Sequence, residues 1–219
     1  MTDTAIVQGS DAWFQSRMGK VTASRVADVI AKTKTGYSTS RDNYMAQLVC
    51  ERMTNTVAES FSNSAMQWGT ETEPLARAAY EAHADVLVDE VAMITHPTIE
   101  AAGASPDGLV GEDGLVEIKC PNTATHLETL RTKKVPTKYN IQMQWQMAST
   151  GRKWCDFVSF DNRLPEHLQL FVARVKRDDA FIAELEQEVS KFIKELDATV
   201  EFFKKENFNA KPGETEVSS

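Results

Sequence analysis

Two carboxylates and one amine pose the chemical question. In Ser105-Pro-Asp-Gly-Leu-Val-Gly-Glu-Asp-Gly-Leu-Val-Glu-Ile-Lys-Cys-Pro121, nine residues separate Asp107 from Glu117-Ile118-Lys119. Alternate residues of a strand share a face, so Glu117 and Lys119 point together while Ile118 packs behind them. The turn Gly111-Glu-Asp-Gly114 returns the chain, which brings Asp107, near the end of the preceding strand, beside Glu117. Two acids on adjacent strands can hold a hard, oxygen-seeking cation such as Mg²⁺. Phosphodiester hydrolysis uses such an ion to acidify a water and to stabilise the transition state, and two ions about 3.5–4 Å apart can serve the attacking and leaving oxygens together. Lys119 would orient the water or neutralise developing charge. The plain alternative is a same-face ion pair worth under about 1 kcal/mol. That alternative leaves unexplained why these groups lie in an apolar strand.

The elements that must position this group follow from periodicity. Val86–Thr95, Ile99–Ala104, Leu115–Cys120, Trp154–Phe160 and Leu168–Val175 are short apolar or β-branched runs and are expected as strands. Val26, Val29 and Ile30 have helical spacing, with Thr22 or Ser24 as N-cap. Arg41–Met53, Thr123–Arg131 and Lys138–Ser149 also read as helices, and residues 33–40 as a polar loop. In Asn63–Ala84, Pro74 suggests two helices meeting near Gly69. Asp178–Lys205 carries Phe181, Leu185, Val189, Phe192, Ile193 and Leu196 at spacings of three and four, the mark of one long amphipathic helix. The expected fold is α/β (α+β): a mixed central sheet flanked by helices and closed by a long C-terminal helix. Residues 1–206 are expected to form one domain and 207–219 a polar, disordered tail.

Pro106-Asp107 with Glu117-Ile118-Lys119 resembles the PD-(D/E)xK nuclease signature, whose restriction-endonuclease-like core matches the expected fold. The flanking Ser-Pro-Asp-Gly and Glu-Ile-Lys-Cys-Pro are similar to the phage lambda exonuclease-like, YqaJ-type viral recombinase family. The resemblance runs from about Asp11 to the final helix in the family's order. Asp11-Ala-Trp-Phe-Gln-Ser-Arg-Met-Gly-Lys-Val-Thr-Ala-Ser24 is similar to the family's opening motif, which implies that Arg17 and Ser24 bind the 5′-phosphate of a DNA end. A guanidinium suits bidentate phosphate contact, and a hydroxyl at a helix start lies next to unpaired backbone N–H groups. Trp68-Gly-Thr-Glu-Thr-Glu-Pro74 resembles the helical motif that supplies a further acid, implying Glu73 rather than Glu71. Tyr139-Asn-Ile-Gln142-Met-Gln144 is similar to the family's Tyr and Gln pattern, implying that Tyr139 and Gln142 reach the water, Lys119 or the scissile phosphate, with Gln144 a lesser contact. The resemblance further implies two Mg²⁺ ions, replaceable by Mn²⁺, on Asp107, Glu117, Glu73 and the backbone carbonyl of Ile118. It implies 5′-to-3′ digestion of one strand of linear duplex DNA to mononucleotides, leaving a 3′ overhang. A ring-shaped homotrimer, a single-strand-annealing recombinase as partner, and a phage or prophage origin in a bacterial cytoplasm are implied with it.

Charge and cysteine content frame these expectations. The formal charge is -8, yet Asp178–Ser219 alone contributes -6, which leaves -2 on the first 177 residues. A near-neutral body can present a basic face to phosphate. Arg131, Lys133, Lys134 and Lys138 form one basic group and Arg17, Lys20 and Arg25 another, all candidate DNA-backbone contacts. Cys50, Cys120 and Cys155 lack CxxC spacing, which argues against a disulfide framework or zinc knuckle. No stretch approaches the roughly 18 apolar residues of a membrane span, so a soluble, intracellular protein is expected. The rival readings are an endonuclease or repair nuclease without an end requirement, a non-catalytic binding protein on the same fold, and an enzyme acting on a small phosphate ester. A binding module has no use for clustered like charges.

Overall fold

The structure, a computed structural model, describes residues 7–58 and 64–206. The tail from residue 207 lies outside the described residues. The first third is built of short pieces: α1 (Asp11–Arg17), β1 (Val21–Thr22), a 3-10 turn at Ala23–Arg25, α2 (Val26–Ile30), the hairpin of β2 (Lys32–Thr33) and β3 (Gly36–Tyr37), and α3 (Thr39–Thr54). After α4 (Ser64–Ala84) come β4 (Val88–Asp89), β5 (Ile94–Thr95), β6 (Ala102–Ala104), β7 (Gly108–Val110) and β8 (Gly114–Lys119). The remainder is α5 (Thr123–Thr132), α6 (Thr137–Thr150), β9 (Trp154–Phe160), a 3-10 turn at Glu166–Leu168, β10 (Leu170–Lys176) and α7 (Asp179–Lys205).

The central sheet has the order β10-β9-β8-β7-β4. It is mixed: β8 and β9 run parallel, whereas the β4–β7, β7–β8 and β9–β10 pairs are antiparallel. The parallel pair needs a crossover, which α5 and α6 provide. Helix α4 covers one face, where Ala76 and Tyr80 pack on Val116, Ile118, Val158 and Phe160. Helix α6 covers the other, with Met143 and Met147 against Leu115, Cys155 and Phe157. Its far side supplies Ile141 and Trp145 to a second layer with α7, α2 and α3. With Leu185, Val189, Phe192, Leu196 and Val200 buried, α7 closes that layer, each large side chain contributing about 2 kcal/mol.

Several expectations are corrected. Neither Thr22 nor Ser24 caps a helix with its side chain, because the 3-10 turn intervenes and α2 begins only after Arg25. Residues 33–40 are no plain loop: they hold most of the β2–β3 hairpin and the start of α3. The hairpin is fastened to α7 where the Tyr37 hydroxyl donates to Glu188 Oε2 at 2.7 Å. Instead of two helices meeting near Gly69, α4 runs unbroken through Pro74. Proline removes the N–H that would bond Thr70, and both residues are exposed, so water can satisfy the freed carbonyl. The run Val86–Thr95 splits into β4 and β5, which belong to different sheets.

Candidate active site

The C-terminal end of β8 lies between α4 and α6. Residues of β8 alternate, so Val116 and Ile118 face α4 while Glu117 faces α6. Glu117 is fully buried and tied on both oxygens. Gln142 Nε2 donates to its Oε1 at 2.7 Å, Gln146 Nε2 to its Oε2 at 2.5 Å, and the Lys119 ammonium pairs with Oε1. Asp107 lies just before β7, not at the end of a strand. The β7–β8 register pairs Gly108 with Val116, which sets Asp107 next to Glu117. Its Oδ2 accepts from the Ile118 N–H at 2.6 Å, so the carboxylate is oriented by the backbone of β8.

Glu73 reaches this place from α4. It pairs with Arg77 at 3.0 Å one turn on, and Arg77 also pairs with Glu90. Burial holds Glu73 above the usual carboxylate range against the pull of Arg77 and Lys119, with Glu117 adding to the rise. Burial likewise pushes Asp107 well above its ordinary value, and Glu117 and Glu73 push it further. For Lys119, burial works toward a lower value, but Glu117 and Asp107 override it and keep the ammonium protonated. Tyr139 stacks on Phe157 with ring centroids 5.6 Å apart and lies below both Lys119 and Lys138, whose nitrogens are 5.4 and 4.6 Å from its centroid.

The sequence-predicted residues Asp107, Glu117, Lys119, Glu73, Tyr139 and Gln142 thus meet at one place. Glu71 points elsewhere, toward Gln67. Gln144 has a structural task, bonding the Lys176 carbonyl and the Asp178 N–H. Gln146 was missed. It is fully buried, and the Cys155 thiol directed at its Oε1 fixes which end of the amide faces Glu117. The available signal was its spacing of four from Gln142, which places both amides on one helix face.

A hard cation fits these residues: the donors are oxygens, and Asp107 and Glu73 are raised by burial and by the acids around them. Among the described residues no three His, Cys, Asp or Glu side chains stand together closely enough to hold a metal ion by themselves. Mg²⁺ needs no such group, since it keeps several waters and takes one or two protein carboxylates.

A second site adjoins the first. Arg17, Lys20, Ser24 and Arg25 line one cavity of about 310 Å³ together with Trp13, Tyr44, Gln47 and Glu51. Ser10 caps α1 by accepting from the Trp13 N–H at 3.3 Å, and α1 carries Arg17 in its last turn. Gly19 turns the chain at φ +67°, and its N–H donates to the buried Glu51 at 2.7 Å. Arg17 stacks on Trp13 at 4.1 Å and donates to Ser105 Oγ at 2.9 Å. Burial draws its guanidinium below the ordinary value, against Tyr44 and Glu51. Arg25 is bound to Asp28 and Gln47. Ser24 is exposed at the cavity wall.

The other basic group is more dispersed. Arg131 is spent on Glu128, with bonds of 2.9 and 2.6 Å, whereas Lys133, Lys134 and Lys138 are exposed around the α5–α6 connection. The three cysteines are free thiols, but where the absence of CxxC spacing suggested buried ones only Cys155 is buried, with Cys120 half-buried and Cys50 exposed. No helix among the described residues is long and apolar enough to cross a membrane.

Residues 12–153 match the model of the YqaJ-like viral recombinase domain. Among solved structures, the alkaline exonuclease LHK-Exo of Laribacter hongkongensis is 57% identical with a TM-score of 0.84, covering 90% of this chain and 97% of that one. The same values hold for its complex with dAMP. A phage-related exonuclease of Haemophilus somnus 129PT, 17% identical, shares the fold at a TM-score of 0.69 over 84% of this chain and 96% of that one. Among curated proteins nothing matches. On the match over residues 12–153, and with a 57%-identical exonuclease of the same fold, the chain belongs to the YqaJ-like viral recombinase family.

Proposed function

We propose that this nuclease is a Mg²⁺-dependent 5′-to-3′ exonuclease that hydrolyses one strand of linear duplex DNA to mononucleotides and leaves a 3′ single-stranded overhang. One observation carries the proposal: a carboxylate–lysine centre opens beside a cationic cavity, and the two are joined through Ser105, which accepts from Arg17 and stands two residues before Asp107. A terminal phosphate held by Arg17 and Ser24, with Lys20 and Arg25 around it, would present the adjacent phosphodiester to the acids.

Asp107, Glu117, Glu73 and the Ile118 carbonyl are the groups that would hold one or two Mg²⁺ ions, with Mn²⁺ able to replace them. The bound ions would supply an acidified water and a counter-charge to the transition state. The side chains do the rest. Gln142 and Gln146 fix the Glu117 carboxylate, so no reorientation is required during reaction. Lys119, kept protonated by its acidic neighbours, aligns the nucleophilic water or offsets charge on the phosphate oxygens. Tyr139 forms the floor beneath it. Lys133, Lys134 and Lys138 are placed to follow the backbone of the duplex, with Arg131 available only at the cost of its Glu128 pair.

The proposal extends to the assembly: a homotrimeric ring around the DNA, a single-strand-annealing recombinase receiving the overhang, and action in the cytoplasm of a phage-bearing bacterium. Residues 1–206 would form the nuclease domain and 207–219 a separate tail. Duplex DNA labelled separately at each 5′ and 3′ end, incubated with Mg²⁺ beside closed circular DNA, tests the reading. Release of 5′ label as mononucleotide with the circle intact is expected. Cleavage of the circle would replace the exonuclease with an endonuclease.

A further inference from the structure

Outside the acids, one side-chain cluster spans the three elements that frame the site. Asp161 follows β9 and is fully buried. It accepts from Arg163 Nε at 2.7 Å, Arg163 Nη2 at 3.0 Å, the Arg163 N–H at 3.0 Å and Thr123 Oγ1 at 2.6 Å. Against the cost of burial, these bonds lower its carboxyl to about 2. Arg163 Nη2 also donates to the Pro121 carbonyl at 3.1 Å, two residues past Lys119. The face of the same guanidinium lies 4.2 Å from the Trp68 ring centroid on α4. Among the described residues the buried Trp68 Nε1 has no hydrogen-bond partner, so no such bond fixes the indole.

Trp68 is the first member of a helical row. Thr72, Ala76 and Tyr80 follow at intervals of four, and all three are buried against the sheet. Trp68, one turn before Thr72, is where the Arg163 guanidinium meets this end of the helix. Glu73 stands next to Thr72 in the same stretch of helix. A guanidinium gripped on two edges by a carboxylate and a carbonyl, with its face on an indole, is a rigid spacer that a lysine cannot copy.

We propose that Asp161, Arg163 and Trp68 form a clamp that seats the first half of α4 over the ends of β8 and β9, making Arg163 a positioning residue for Glu73. The inference rests on the reading of Glu73 as a metal-site acid. Without the clamp this part of α4 is free to lift, and Glu73 withdraws from Asp107 and Glu117 while the other acids stay in place.

Mn²⁺ titration of the full-length protein by calorimetry, without DNA, is the test. Arg163→Ala should weaken Mn²⁺ binding roughly tenfold, the scale on which groups that orient metal ligands act. Glu73→Ala should weaken it at least as much, and the double variant should be no weaker than Glu73→Ala alone, since both changes remove one interaction. Arg163→Lys should restore little of the affinity, and Trp68→Phe, which keeps an aromatic face, should retain most of it. These two milder variants keep the idea open to refutation if the alanine protein fails to fold. Additive losses in the double variant would overturn the clamp, as would unchanged Mn²⁺ binding with weakened DNA binding in chelator, which would make Arg163 a DNA contact. Because metal binding is read rather than cleavage, failure of the nuclease reading would appear separately, as wild-type protein that cuts no DNA.

Discussion

The site at the end of β8 and the cavity beside α1 are opposite solutions to handling a polyanion. The first gathers negative groups around the end of β8, from β8 itself, the residue before β7 and α4, and each is held by another part of the fold: Asp107 by a backbone N–H, Glu117 by two amides and Lys119, Glu73 by Arg77. The second gathers positive groups on a seven-residue helix and a 3-10 turn, and its serine is exposed to solvent. Rigid placement suits bond breaking, where small displacements are costly. A cationic lining suits the capture of phosphate. The two therefore respond differently to substitution, one through turnover and the other through choice of substrate.

Lys119→Ala offers the largest contrast. Turnover should fall by about 10³-fold with DNA binding retained, because the loss concerns charge and water position in the transition state. Single-turnover cleavage beside a binding titration measures both, and substantial residual cleavage would remove Lys119 from the chemistry. Gln146→Leu should come next, lowering activity roughly 10-fold or more by leaving a buried carboxylate oxygen unpaired and free to turn. A variant with unchanged Mg²⁺ dependence would limit Gln146 to packing. At the cavity, Arg17→Ala should spare turnover on saturating substrate while removing about a tenfold preference for 5′-phosphorylated over 5′-hydroxyl ends, the size expected for one charge-assisted contact. An unchanged ratio of the two rates would separate the cavity from end recognition.

The two regions also differ in how far the sequence disclosed them. Strand β9 was legible to the residue, since Trp154–Phe160 is an apolar run bounded by polar residues. Period-two alternation placed Glu117 and Lys119 on one strand, and the three-and-four spacing marked α7. Glu73, Gln142, Arg17 and Ser24 were found largely through resemblance; Gln142 bonds Glu117, Glu73 lies close enough to raise Asp107, and Arg17 and Ser24 line the neighbouring cavity. Helix α1 buries no residue, so it leaves no apolar stripe to detect. Pro74 misled because its effect depends on whether the freed carbonyl can reach water, which is a tertiary fact. The Asp161–Arg163–Trp68 cluster was invisible for a related reason, since Arg163 and Pro121 lie 42 residues apart, and the spacing of Gln146 from Gln142 hinted at a shared face but not at Glu117, 29 residues away.

The ties around Glu117 have a practical side. Lys119, Gln142 and Gln146 leave that buried carboxylate satisfied by the protein's own groups, unlike small zinc domains whose ligands are left uncompensated and unfold on chelation. Folding should then not depend on metal even if catalysis does. Protein treated with EDTA should melt within a few degrees of the Mg²⁺-loaded form and recover full activity when Mg²⁺ returns, which a melting curve and a reactivation assay can show. A large drop in melting temperature would mean that the ion is part of the scaffold. If the expectation holds, the enzyme can be stored, mixed with DNA and started at will by adding a salt.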